Sequence, residues 1–299
     1  MREPEVQIGN SGLDRARWKS AGDDFRGIEM EIIFKIEYRL GVLGMKIRGL
    51  LPQLSWADIC LMMVTPEGRW PAEKLLTPHD DGPKTTKYET PIGDICWGPR
   101  ETWGRFLALL VMEELRGVYE RGPVRIREGD VVLDLGVFAG TFTRYALSRG
   151  AAKVVAIEPE PQHVFYLKQT FAREIEEGRV HIVNAVAWHE CTKLQFRSAG
   201  PISRIAEEGG ITVSAVTIDQ VVADLGIERV DFIKADIEGA ERHALKGAAQ
   251  TIKKFGPRMA LCVYHLPDDP VVIPGLVKSF RPYHVAMNFG RSQVYFWCG

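Results

Sequence analysis

The most regular patterning lies in the second half of the chain, where short apolar runs alternate with amphipathic stretches. Asp130–Leu135 is almost wholly apolar between Gly129 and Gly136, and Lys153–Ile157, Val180–Ala187, Val230–Ala235 and Met259–Tyr264 are runs of the same kind. Continuous apolar runs predict strands buried on both faces, as in a parallel sheet. Between them, Thr141–Ser148, Pro161–Glu176, the segment after Thr217 and Ala240–Phe255 carry helical periodicity. Pro161 suits a first helical turn, where its missing N–H is no loss. Thr217 is placed as a cap, with Ile218, Val221, Val222 and Leu225 on one face behind it. Gly256 and Pro257 stop the last helix. Tyr283–Met287 and Gln293–Trp297, joined by Asn288–Ser292, predict a C-terminal antiparallel hairpin. The repeated β–α–β order predicts an α/β fold with a doubly wound, mostly parallel sheet.

The front of the chain has a different texture. Residues 1–27 are charged and aperiodic, as in a loosely packed arm. Glu29–Leu40 fits both periods, but Ile32, Ile33, Ile36 and Leu40 share a helical face and Glu31–Lys35 is a favourable pair, so helix is preferred. Ser55 with Asp58 has the form of a capping box opening another helix. Thr77–Lys84 is a connection rich in Pro, Gly, Asp and Lys. These features divide the chain into an N-terminal arm and helical extension, 1–84, and a main domain, 85–299. The extension is expected to act as a lid or substrate wall, with Trp56, Trp70, Tyr88, Trp97 and Arg100 as possible substrate contacts.

Composition narrows the class. At 45% apolar, 26% charged and net charge −1, the chain has the balance of an ordinary globular protein and no overall basic field for a polyanion. Its most apolar stretches are broken by Lys35, Arg39, Lys46, Arg48 and Asp58 before the ~20 residues a membrane span needs. Met1–Gly27 lacks the apolar core of a signal peptide. Cys60, Cys96, Cys191, Cys262 and Cys298 form no CxxC pair, which predicts reduced thiols and a cytoplasmic location.

Candidate chemistry sits at the strand ends, where doubly wound sheets bind ligands. The first strand ends in Asp134-Leu135-Gly136-Val137-Phe138-Ala139-Gly140-Thr141. Gly136 permits a turn under a ligand, and Gly140 lets the next helix start close to it. Asp134 offers an acceptor to an ammonium-bearing ligand and would repel a pyrophosphate. Phe138 stands where the dinucleotide fingerprint needs its second glycine, which argues against a nicotinamide enzyme. Glu158 closes the second strand about twenty residues later, where a carboxylate accepts from ribose hydroxyls, and Pro159 turns the chain over the base. The expected cofactor contacts are Asp134, Gly136, Val137, Phe138, Ala139, Gly140, Thr141, Phe142, Glu158, Pro159, Ala185, Val186 and Asp236.

The fourth strand runs into Lys234-Ala235-Asp236-Ile237-Glu238-Gly239-Ala240-Glu241. Asp236 is a candidate general base, substrate anchor or partner of the cofactor's amine. Glu238 is either a third catalytic candidate or, like Glu241, a helix-capping acid. His265, ending the fifth strand on the same rim, is a candidate base. The spacing of Asp236, Glu238 and His265 demands no metal, and none is expected.

Residues 117–270 resemble the FkbM family of methyltransferases. The resemblance rests on Gly129–Gly136, on Ala156-Ile157-Glu158-Pro159-Glu160-Pro161, on Thr217-Ile218-Asp219, and above all on Asp231-Phe232-Ile233-Lys234-Ala235-Asp236-Ile237-Glu238-Gly239-Ala240-Glu241. Thr90–Gly93 and Trp97–Arg100 are similar to the stretch ahead of the core in some members. The chain departs from the family at Val137-Phe138-Ala139, where members usually carry Ala-Asn and a small or apolar residue. The resemblance implies a class I, Rossmann-like sheet of seven strands, S-adenosylmethionine as cofactor, and methylation of a hydroxyl on a small molecule or glycan. RNA or protein as acceptor is the alternative, although Glu113, Glu114, Glu120 and Glu128 dilute the arginines at 116, 121, 125 and 127. A non-catalytic cofactor-binding protein, or one that dimerises through its front segment, is a further alternative.

Overall fold

The computed structural model describes residues 39–40, 42–49, 51–52, 54–64, 71–80, 85–98, 100–198, 203–206, 209–288 and 293–298. Most of the helix expected over Glu29–Leu40 lies outside them. Residues 42–47 are helical, and helix α1 follows at Trp56–Val64. The capping box forms: Ser55 N–H donates to Asp58 Oδ2 at 2.8 Å and Asp58 N–H to Ser55 Oγ at 3.1 Å.

The extension is not purely helical. Strands β1 (Thr77–Asp80), β2 (Thr86–Glu89) and β3 (Ile95–Trp97) form an antiparallel sheet. The boundary expected at residue 84 falls between its paired strands β1 and β2. Thr77–Lys84 reads as a connection because β1 contains Pro78, which an edge strand tolerates and a central one does not. Helix α2 (Arg100–Leu115) leads into the main sheet.

The remaining elements follow the predicted alternation: β4 (Val131–Leu135), α3 (Thr141–Ser148), β5 (Lys153–Ile157), α4 (Pro161–Thr170), α5 (Ala172–Glu176), β6 (Val180–Val183), β7 (Val186–Ala187), β8 (Thr192–Arg197), β9 (Arg204–Ala206), β10 (Ile211–Val216), α6 (Ile218–Asp224), β11 (Phe232–Ala235), α7 (Glu241–Gly247), α8 (Ala249–Phe255), β12 (Arg258–Cys262), α9 (Asp269–Phe280), β13 (His284–Asn288) and β14 (Gln293–Trp297). The main sheet has seven strands in the order β13-β14-β12-β11-β4-β5-β6. Its neighbours are parallel except at β14, which runs antiparallel to both β12 and β13. This is the doubly wound sheet with a closing hairpin.

Strand parity assigns the two faces. Val132, Val154, Phe232 and Ala260 pack with α2, α3 and the front residues Val42, Met45, Ile59 and Met62. Leu133, Val155, Ile233 and Met259 pack with α6, α7, α8 and α9. The front segment is therefore welded to one face of the sheet as core. Trp56 is exposed, Tyr88 and Trp97 are buried, and Trp70 and the Arg100 side chain lie outside the described residues.

Two expected elements divide. The helix predicted over Pro161–Glu176 turns at Phe171, and that over Ala240–Phe255 at Ala248. Strand Val180–Ala187 also splits: its last part, β7, leaves the main sheet to pair with β10 in a second sheet, ordered β7-β10-β8-β9. That side sheet escaped the sequence reading. Only Phe196, Val213 and Ala215 of β8 and β10 are buried, so the strands are too exposed to read as apolar runs.

Candidate active site

The ends of β4 and β11 touch. Asp236 N–H donates to Leu135 O at 3.1 Å, and a Cβ on Gly136 (φ 78°) would lie 1.9 Å from Asp236 O. Glycine at 136 is thus a steric requirement of this crossing as well as a turn. Lys234 ties the turn from below. Its Nζ donates to Gly136 O at 2.6 Å and Leu135 O at 3.3 Å, and lies 3.2 Å from Asp134 Oδ1. Burial opposes the charge on Lys234, but Asp134 and Asp236 outweigh it and hold its pKa above the ordinary lysine value.

Asp134 has a different place from the one expected. It is fully buried, and its Oδ2 accepts from Thr143 Oγ1 at 2.7 Å. Burial pushes its pKa up, against the pull of Lys234 and Thr143. The side chain therefore points into the protein and braces the turn from behind; it does not line the cavity available to a cofactor.

That cavity, about 480 Å³, opens over the strand ends. Of the expected contacts, Gly136, Phe138, Glu158, Pro159, Val186 and Asp236 line it, as does Glu238. Val137, Ala139, Gly140, Thr141, Phe142 and Ala185 do not. Val137 packs with Leu167 and Phe171, and Phe142 lies against Tyr119 and Phe232. Thr141 Oγ1 donates to buried Glu114 at 3.2 Å. A Cβ on Gly140 would meet Leu167 and Phe171 at 2.8 Å. These residues shape the turn through the packing behind it.

Glu158 is fixed at the end of β5 by donors on both of its carboxylate oxygens. Its Oε2 accepts from Phe138 N–H at 2.9 Å and its Oε1 from Glu160 N–H at 3.0 Å, with His163 Nδ1 at 3.1 Å. Phe138 adopts φ 50°, a left-handed conformation costly for a bulky side chain. Its ring sits 4.8 Å from both Trp97 and His163 and 5.8 Å from Phe106. The aromatic cluster supplies the packing that holds this conformation, which accounts for a phenylalanine where an asparagine would adopt the backbone more easily.

At the opposite end, Asp236 Oδ2 accepts from Tyr119 Oη at 2.9 Å and Oδ1 from Tyr264 Oη at 2.8 Å. Burial opposes ionisation of Asp236, but Lys234, His265 and the two phenols overcome it and hold its pKa below the usual carboxylate value. His265 lies among three carboxylates: Nδ1 is 2.9 Å from Glu241 Oε1, and Nε2 is 3.4 Å from Glu238 Oε1 and 3.6 Å from Asp236 Oδ1. Burial disfavours its charged form, yet Glu238, Glu241 and Asp236 raise its pKa to about 10. That shift favours the charged form of the ring, which stands as a counter-charge among the three acids beside its expected candidacy as a base.

Sequence reasoning missed Tyr119, His163 and the bracing role of Lys234. Tyr119 lies 117 residues from its partner, so no local spacing marks it. Lys234 did carry a signal: a lysine inside an otherwise apolar strand needs a buried partner, and Asp134 is its partner in register.

The sequence profile described as the methyltransferase FkbM domain matches residues 130–288. The chain belongs to the FkbM methyltransferase family, whose cofactor is S-adenosylmethionine. Among solved structures it is similar to methyltransferase FkbM from Methylobacillus flagellatus KT, at 21% identity and TM-score 0.48, over 65% of this chain and 54% of that one. It is also similar to Aeropyrum pernix fibrillarin, a structure with natively bound S-adenosyl-L-methionine, at 15% identity and TM-score 0.36, over 74% of this chain and 96% of that one. An rRNA methylase from Streptococcus thermophilus matches at 13% identity and TM-score 0.37, over 57% of this chain and 87% of that one. No curated protein matches the chain. Among the described residues, no helix is long and apolar enough to cross a membrane.

Proposed function

We propose that this methyltransferase acts on a hydroxyl of a small molecule or glycan. The observation that carries the reading is the character of the cavity. Phe106, Leu110, Ile157, Phe196, Ile205 and Ile237 give it an apolar wall. Its charged lining is Glu113, Glu158, Asp236 and Glu238, with no lysine or arginine among the described lining residues. A cationic sulfonium and ammonium suit such a lining, and so does a neutral acceptor. A polyanion does not, because phosphate recognition draws on Lys and Arg.

In this reading Glu158 holds the ribose, and Gly136 lets the cofactor approach the backbone. Asp236, kept ionised, stands at the methyl end. With the cofactor bound, the cleft would hold an acceptor hydroxyl beside Asp236, and proximity would supply much of the rate. The acceptor's proton passes to Asp236, directly or through the Tyr264 hydroxyl bonded to it. His265 and Glu238 balance and orient that carboxylate. Cytoplasmic location remains part of the proposal, in keeping with five free thiols.

The test is methyl transfer from labelled S-adenosylmethionine to a panel of hydroxylated small molecules and glycans, beside total RNA and a protein lysate. Asp236→Asn should keep cofactor binding by calorimetry and lose about 10²–10⁴ in turnover. Label appearing in RNA or protein alone would overturn the acceptor class. Full turnover in Asp236→Asn would remove the base.

A further inference from the structure

The front segment turns a second apolar surface outward. Helix α1 carries one charged side chain, Asp58, and is otherwise apolar all round. Such a helix belongs inside a protein or against another apolar phase. Only its inner side is so placed, where Ile59 and Met62 are buried in the core with Val42 and Met45. Trp56, Ala57, Cys60, Leu61 and Val64 share the outer side by helical spacing, and all are exposed, Trp56 to 57% and Val64 to 77%. In the helical stretch before α1, Ile47 is 68% exposed as well.

Cations flank this face at both ends. At the C-terminal end of α1, Arg39 Nη1 donates to Met63 O at 2.7 Å. At the N-terminal end, Lys46 Nζ donates to Leu54 O at 2.6 Å and Leu51 O at 3.1 Å, and stands 5.8 Å from the centre of the Trp56 ring. Arg48, next to Ile47, is exposed. From residue 38 to residue 66 the sequence holds these three cations and a single acid, Asp58. That acid is buried and paired with Lys74 Nζ at 2.7 Å. An apolar face and a local positive charge thus coincide in a chain whose net charge is −1.

We propose that the outer face of α1 docks on the surface of an anionic lipid bilayer, with Arg39, Lys46 and Arg48 meeting the headgroups. Helices that lie in the interface bury an apolar face and gain from basic residues beside it. Trp56 at the edge of the face suits the headgroup level, where indole rings collect. Negative lipids answer the cations that bracket the helix. A second copy of the chain fits this face less well. Two-fold contact lays α1 antiparallel on its own image, so the Arg39 end of each copy would meet the Lys46 end of the other. The inner side is already packed as core, so docking requires no unfolding of the front segment, and the helix lies on the bilayer without entering its centre.

Flotation of the full chain with phosphatidylcholine vesicles, with and without phosphatidylglycerol as about one third of the lipid, tests the surface. Binding to the anionic vesicles is expected, with affinity lower by about fivefold or more on phosphatidylcholine alone. Ile47→Glu together with Val64→Glu should weaken binding by about tenfold or more, since burial of even one such side chain contributes that much. Arg48→Gln should weaken it by about fivefold. All three substitutions fall on exposed side chains, so circular dichroism should match the wild type. No binding at millimolar anionic lipid, equal binding to both kinds of vesicle, or an affinity unchanged in the double variant overturns the proposal. Light scattering decides the competing occupant: a dimer that the double variant converts to monomer would assign the face to a second copy and overturn lipid docking.

Discussion

Removing Lys234 isolates the brace beneath the cofactor turn. Lys234→Met keeps the length and apolar stem of the side chain but leaves Asp134 with only Thr143, in a position that is 0% exposed. Breaking a buried pair by removing one partner costs about 3–5 kcal/mol, because an uncompensated charge stays behind. Protonation sets a ceiling on that cost. If Asp134 escapes by binding a proton at pH 7, the penalty is about 1.4 kcal/mol for each unit between an unfolded carboxylate near 3.9 and pH 7, or roughly 4 kcal/mol. The two routes agree. The sign also follows: a carboxyl with a raised folded pKa is destabilising above its unfolded value, and the penalty fades as pH falls toward it. Urea unfolding of the wild type and variant at a series of pH values should therefore show a gap of about 3–4 kcal/mol at pH 7 that narrows on acidification. Adding Asp134→Leu should recover most of the loss, since an apolar pair can replace a buried ion pair at little cost. A loss below about 1 kcal/mol, or one independent of pH, would refute the brace.

Three further outcomes follow from the same geometry. Glu158→Gln should weaken S-adenosylhomocysteine binding by about tenfold or more, since charge-assisted hydrogen bonds contribute about 1.5–3 kcal/mol; unchanged calorimetric affinity removes the ribose role. Gly136→Ala forces apart backbone that now leaves 1.9 Å for the added carbon, so cofactor binding should be lost even in whatever fraction stays folded by circular dichroism. The His265 pKa, about 10, lies above an unfolded value near 6.5. Its stabilisation is then fully present below pH 6.5 and is lost as pH rises through 10. The stability gap between wild type and His265→Gln, measured by urea unfolding, should shrink across that window, and a constant gap would contradict the charged imidazole.

The parts of the site legible in the sequence are those where backbone conformation dictates residue type. Gly136, Glu158 and Asp236 sit at strand ends, and the chain alone shows where strands end. Side-chain direction was not legible in the same way. Asp134 was placed in the cleft because it lies near a strand end, yet alternation along β4 turns it to the inner face, where Lys234 of β11 meets it in register. Phe138 departs from the residues usual in the family at this turn. Its ring makes sense only beside Trp97, Phe106 and His163, which three other elements deliver. The side sheet went unread because its strands are mostly exposed and lack the apolar signature of the central ones.

Charge placement sets the histidine and the aspartate apart in a way the sequence does not show. An imidazole's ordinary pKa makes it a base near neutrality, and sequence supplies only that ordinary value. Here Glu238, open in the sequence between catalysis and capping, and Glu241 bend back through Glu238's left-handed backbone (φ 53°) and Gly239 to face His265. The signature Asp236–Glu241 thus supplies all three carboxylates around one ring. The positive charge favoured on His265 offsets them. Asp236, with Lys234 beneath it and His265 beside it, is then held as an anion, the state a proton acceptor needs.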